Sequence, residues 1–254
     1  MTIVFIGLLI FALTLGAGFL GIWVNRTLPA ELQSDSARAV VGQVAGLVSL
    51  LLALVLGTLI GTSFAFFGGQ KTAIETLSSQ VLMLDQALAQ YGPETMPARE
   101  KLKASVQGAY ETFWGEGEHD PKLLLVSIPL ASALATKTFL SSLKPETDVQ
   151  KQAVAAANAF TNQIEQGRVL MDLQVASHPV NPGLVIVLVV WAVILFFGMG
   201  LFAQSNGLVV SALTFGALCV AFAVFLILEL GLPYTGMFRV PGAALHEALV
   251  NIAK

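Results

Sequence analysis

The chain has 254 residues, of which 56% are hydrophobic and 11% charged, whereas soluble domains average about a quarter charged residues. This composition excludes an ordinary soluble domain and indicates a membrane protein. The net charge of −3 excludes a basic surface that would bind nucleic acid by neutralising phosphates, and the single cysteine, Cys219, excludes an intrachain disulfide.

Four apolar stretches are each long enough to cross a bilayer as a helix, which takes about 20 residues. The first covers residues 3–24 and the second lies in the charge-free interval 39–70. The third and fourth cover residues 182–202 and 207–228, and the polar residues between them predict a tight hairpin. We therefore predict a membrane protein with four spans.

Charge is concentrated in the central block 71–172, which holds nine of the 13 basic and twelve of the 16 acidic residues. Apolar residues three and four apart predict that span two continues as a helix to residue 91. Further helices are predicted from Pro97 to residue 115 and over 146–177, with a buried helix pair at 121–143 and a short amphipathic helix after Pro241 that docks on protein. No segment has the period of a strand, so the predicted fold is all-α.

The predicted organisation has four parts. Residues 1–70 carry transmembrane helices 1 and 2, residues 71–178 form a helical cytosolic domain, residues 179–230 carry transmembrane helices 3 and 4, and residues 231–254 form the amphipathic tail. Four spans place both termini and the central block on one side, with eleven Lys and Arg residues, against Arg26 and Arg38 on the other. The positive-inside rule therefore predicts an inner (plasma) membrane protein with cytoplasmic termini.

The sequence offers little catalytic chemistry. The three histidines, His119, His178 and His246, have no paired spacing, and the acidic loop at 116–120 lacks the register of a calcium-binding loop. We expect no enzymatic activity, no metal and no cofactor. The spans contain no Asp, Glu, Lys or Arg, which argues against coupled pumping. Glu229, at the membrane boundary, is either a helix-end contact or part of an ion-attracting ring in an oligomer.

Span two carries a stripe of small side chains at helical spacing. Its members are Gly42, Gly46, Ser49, Ala53, Gly57 and Gly61. Small residues permit close helix packing in lipid, but they also suit the lining of a wide pore. Phe64 and Phe67 follow on the same face, where they form either a hydrophobic neck or ordinary interfacial anchors.

Three segments together resemble a family of bacterial membrane proteins, the bestrophin-like domain family. They are the stretch from Val41 to Phe67 with the following helix, the motif Tyr91-Gly92-Pro93-Glu94 with Ala98-Arg99-Glu100, and Leu228-Glu229 with Pro233-Tyr234-Thr235-Gly236 and Leu245-His246-Glu247-Ala248-Leu249. Gly231 stands where an acidic residue is common in that family. The layout is also similar to that of true bestrophins, which are pentameric channels, but their acidic calcium cluster is missing here.

From these features we predict a passive ion channel, with anions as the permeant ions, assembled as a homo-oligomer around span two. The resemblance implies a pentamer. The expected partners are other copies of the chain, the lipid bilayer and inorganic ions, and not nucleic acid. The alternative is a non-transporting scaffold or signalling protein whose cytosolic helices bind a partner.

Overall fold

The computed structural model describes residues 2–27, 35–115, 130–177, 181–203 and 206–253. Every regular element in these ranges is helical, which confirms the predicted all-α class for this part of the chain. The helices are α1 (Thr2–Asn25), α2 (Asp35–Tyr91), α3 (Met96–Trp114), α4 (Leu130–Ser142), α5 (Asp148–Ala176), α6 (Pro182–Leu201), α7 (Gly207–Leu230) and α8 (Ala243–Asn251), with a 3₁₀ turn at Pro93–Thr95. The predicted acidic loop 116–120, the first part of the predicted helix pair and His178 lie outside the described residues.

Four helices, α1, α2, α6 and α7, are long and apolar enough to cross a membrane, as the sequence predicts. α2 is the longest, with 57 residues, because its apolar positions continue at helical spacing past the charge-free interval. It ends at Tyr91 because Gly92 adopts a φ of 143°, a conformation that L side chains rarely reach, and Pro93 follows.

Polar caps fix several helix starts. Thr147 and Gln150 form a reciprocal capping box at the start of α5. Asn181 caps α6, where Pro182 occupies the first turn, and Asn206 accepts a hydrogen bond from the backbone N–H of Val209 at the start of α7. These caps explain why spans three and four begin where they do.

The chain divides into two compact units. The first comprises Met1–Phe66 and Pro179–Gly231, and the second comprises Phe67–His178 and Leu232–Lys254. α2 contributes residues to both. The amphipathic tail thus groups with the central block.

In the first unit, α1 and α6 approach each other to backbone contact. A Cβ added to Gly200 would lie 2.1 Å from the carbonyl oxygen of Gly18, and one added to Gly21 would lie 2.2 Å from that of Phe197. Only glycine permits such an approach, which brings two helices close in a lipid environment where no hydrophobic force drives them together. The Nδ2 of Asn25 also donates to the carbonyl of Ala203 over 3.1 Å.

In the second unit, α8 completes a hydrophobic core. Its Leu245 is buried together with Ile252 against Val81 of α2 and Val106 of α3. The apolar stripe of the tail therefore faces protein. A second cluster joins the end of α2 to α4 and α5 through Leu88, Leu140 and Ala157. The helices of the second unit are thus joined through more than one hydrophobic cluster.

Candidate functional site

Within the first unit, α2 presents faces of different character. One face carries Leu52 and Leu56, which are buried in a cluster with Ile10, Val185 and Leu188. Another face carries large apolar side chains that stay exposed in the protomer, and these are Val40, Val44, Leu47, Leu51 and Leu54. Such an exposed apolar surface suits lipid or another copy of the chain.

Between these two faces lies the predicted stripe of small residues. Gly42, Gly46, Ala53, Gly57 and Gly61 are exposed, and Ser49 is half-buried with its hydroxyl donating to the carbonyl of Ala45. A Cβ added at any of the four glycines would meet no described atom within 4 Å. The small stripe is therefore uncovered, in contrast to Gly21 of α1 and Gly200 of α6, whose Cβ positions would clash with the backbone of a neighbouring helix.

The two phenylalanines that follow the stripe have different surroundings. Phe64 is 65% exposed. Phe67 is half-buried and packs against a cluster that includes Ile74, Phe113 and Tyr234. Of the two, Phe64 is the side chain that remains available to a neighbouring molecule.

Glu229 is the penultimate residue of α7 and is only 3% exposed. The protomer therefore does not present this carboxylate at its surface. An ion-attracting ring built from Glu229 would need the side chain to leave its buried position in the single chain.

A buried polar network in the second unit joins distant parts of the chain. The phenol of Tyr234 donates to Oε1 of Gln70 over 2.8 Å, and Nε2 of Gln70 donates to Oε1 of Gln174 over 2.9 Å. Burial raises the pKa of Tyr234 above its ordinary value, and the nearby carboxylate of Asp172 raises it further. Burial likewise raises the pKa of Asp172, against the opposing charge of Arg168. The phenol thus remains a hydrogen-bond donor at neutral pH.

A nearly buried ion pair ties the end of α2 to α3. Nε and Nη2 of Arg99 donate to the two carboxylate oxygens of Asp85, each over 2.8 Å, and the backbone N–H of Ala253 donates to Oδ2 over 3.2 Å. The hydrogen bond to Asp85 raises the pKa of Arg99, although burial opposes this shift. The sequence analysis did not single out Asp85. The feature that could have identified it is a carboxylate between Leu84 and Leu88 on an otherwise apolar helix face.

The described residues contain no group of three or more His, Cys, Asp or Glu side chains that could hold a metal ion. His246 lies instead beside an aromatic ring, with its imidazole centroid 5.4 Å from that of Tyr110. Cys219 is exposed on α7.

The bestrophin-like domain matches residues 12–245, which is nearly the whole chain. The chain has no match among curated proteins and none among solved structures. The matched range includes the second half of α1, all of α2, α6 and α7, the small stripe, the Asp85–Arg99 pair and Tyr234. The chain therefore belongs to the bestrophin-like domain family.

Proposed function

We propose that this protein is a passive ion channel that assembles as a homo-oligomer, a pentamer, around α2. The observation that carries the proposal is the uncovered stripe of small residues from Gly42 to Gly61. Glycine within a helix costs about 1 kcal/mol relative to alanine. The four glycines of the stripe have no neighbouring atom at their Cβ positions, so we infer that they serve a contact or function outside the single chain. Family membership adds a second line of support, because bestrophin-like proteins are associated with channels.

Contacts with neighbouring copies would account for both uncovered faces of α2. In a ring, the small stripe would face the axis or the next copy, and the large apolar face would contact lipid or a neighbouring helix. Neither face needs a charged group. A path of this kind would be lined by backbone and small side chains.

Phe64 is the proposed neck of the path. It lies seven residues after Gly57 on the same side of α2, and its exposed ring is available to meet its counterparts from other copies. A ring of apolar side chains opposes ion passage by excluding water. Phe67 is proposed at the edge of this zone, with most of its contacts in the second unit.

We further propose that anions are the permeant ions. The interval 39–70 contains no carboxylate that would attract cations or repel anions. The second unit is proposed to lie on the cytoplasmic side of the inner membrane, because most Lys and Arg residues fall on that side of the four spans.

The experiment is ion flux through purified protein in liposomes. A chloride gradient should dissipate faster in these liposomes than in protein-free ones, and the reversal potential in a planar bilayer should follow chloride rather than potassium. A monodisperse oligomer that carries no current would instead favour a scaffold whose helical unit binds a partner. A monodisperse monomer would remove the central path altogether.

A further inference from the structure

The second unit contains a partly open cavity of about 440 Å³ lined by residues of α2, α3, α4 and α5 and by Leu245 of α8. The volume falls within the range of about 300–1,000 Å³ that is typical of small-molecule sites. A cavity of this volume is therefore a candidate ligand site, separate from the face of α2 discussed above.

The described lining is mostly apolar. On α2 it runs from Ile74 to Leu84, and α5 contributes residues from Thr161 to Met171. Ten helical residues rise by about 15 Å, so the cavity is long enough for an extended alkyl chain. Phe113 and Trp114 of α3 and Phe139 of α4 supply aromatic surface. This lining would bind the hydrocarbon part of a ligand by removing it from water.

The charged residues that line the cavity include more basic than acidic groups, which favours an anionic group on the ligand. They are Lys101, Glu165 and Arg168. Glu165 forms an ion pair with Lys137, so its charge is already compensated. Lys101 is exposed on α3, and none of the ion pairs found among the described residues involves it. A flexible exposed ammonium group beside an apolar cavity is suited to a carboxylate whose chain is buried.

We infer that this cavity binds an amphiphilic monocarboxylate, a fatty acid with its acyl chain in the cavity and its carboxylate at Lys101. The acyl chain accounts for the apolar length of the cavity, and the carboxylate accounts for the basic group beside it. Binding does not depend on whether the protein conducts ions. The test therefore measures binding alone.

Trp114 provides the reporter because it lines the cavity. In the full chain, Trp23→Phe and Trp191→Phe leave Trp114 as the single tryptophan of the three. The protein is placed in lipid nanodiscs and titrated with 12-bromododecanoate, whose bromine quenches tryptophan fluorescence at short range. We expect saturable quenching, and weaker binding of 12-bromododecanol, which has the same chain without the charge.

Two variants separate binding in the cavity from partition into lipid. Lys101→Gln should weaken binding about two- to fivefold, as expected for an exposed ion pair. Lys144→Gln removes an exposed lysine outside the cavity and should leave binding unchanged. Ala109→Phe should abolish quenching by filling the cavity, and its melting temperature reports whether it folds.

If Ala109→Phe does not fold, the test of the inference rests on the binding of 12-bromododecanoate to Lys101→Gln compared with Lys144→Gln. Absence of quenching would overturn the inference. Non-saturable quenching that is equal in the parent, Lys101→Gln and Lys144→Gln proteins would overturn it as well, because it would report only probe dissolved in lipid.

Discussion

Phe64 and Phe67 lie three residues apart on α2, yet Phe64 is 65% exposed while Phe67 packs in the cluster around Ile74 and Phe113. Helical spacing alone places the two rings on the same side of α2. The packing of Phe67 depends on residues more than forty positions away in the chain, such as Phe113. The two side chains should therefore respond differently to truncation.

Phe64→Ala should raise basal chloride flux in liposomes while the oligomer stays intact, because removal of the ring would widen and hydrate the proposed neck. Phe67→Ala should change flux less and lower the melting temperature more, since truncation of a packed aromatic leaves a cavity. Flux and melting temperature are measured on the same preparations. Unchanged flux from an assembled Phe64→Ala protein would remove the neck.

Gly57→Leu should lower the oligomer fraction, because a bulky side chain would force apart helices that meet at the small stripe. Gly16→Leu on α1 is the matched control, since that glycine is also exposed with no described atom near its Cβ position. Mass measurement in mild detergent reads the result. Equal oligomer fractions in the two variants would show that the stripe is not an assembly contact.

Asp85→Ala should destabilise the second unit by about 3–5 kcal/mol, because it leaves the guanidinium of Arg99 buried without its carboxylate. The side chains of Asp85 and Arg99 are only 5% and 12% exposed. Glu75→Ala breaks the exposed 3.8 Å pair with Lys71 and should have little effect. Denaturant unfolding followed by Trp114 fluorescence compares them, and similar midpoints would contradict the prediction.

The raised pKa of Tyr234 predicts that the folded protein loses stability at alkaline pH. Its folded pKa is raised above the value of about 10 that applies to an unfolded chain. Above pH of about 10 the unfolded state releases a proton that the folded state keeps, so stability falls as pH rises through this window. Tyr234→Phe should flatten this part of the stability profile. It should also lower stability at neutral pH, because Gln70 loses a buried hydrogen-bond donor.

The proposed topology predicts which introduced cysteines react in intact cells. In a Cys219→Ala background, Thr27→Cys should react with an impermeant thiol reagent and Glu146→Cys should not. Both positions are exposed in the protomer, so burial would not account for the difference. The positive-inside rule supplies the physical reason. The opposite labelling pattern would place the helical unit outside the cytoplasm.

Much of the helical layout could be predicted from local sequence signals. The four apolar stretches, the extension of α2 to Tyr91 and the start of α6 at Pro182 follow from length, periodicity and capping. These signals depend on neighbours within one or two helical turns. They are therefore present in a single sequence without knowledge of tertiary contacts.

Contacts between distant residues were not predictable in the same way. The Tyr234–Gln70 hydrogen bond joins residues 164 positions apart, and the cavity depends on the packing of several helices. The Asp85–Arg99 ion pair could not be predicted from local signals, because the two residues lie on either side of the turn that follows α2. The small stripe was identified, but its exposure depends on which face of α2 the other helices cover.

The contact between Gly18 and Gly200 also determines which part of the first unit could turn. Rotation of α6 about its axis would replace Gly200 at this contact with a residue that has a side chain, and the carbonyl of Gly18 leaves no space for one. The same contact prevents α1 and α6 from sliding past each other. The glycines of α2 meet no such barrier within the protomer. A conformational change that opened the proposed path would therefore have to keep α1 and α6 together as one pair.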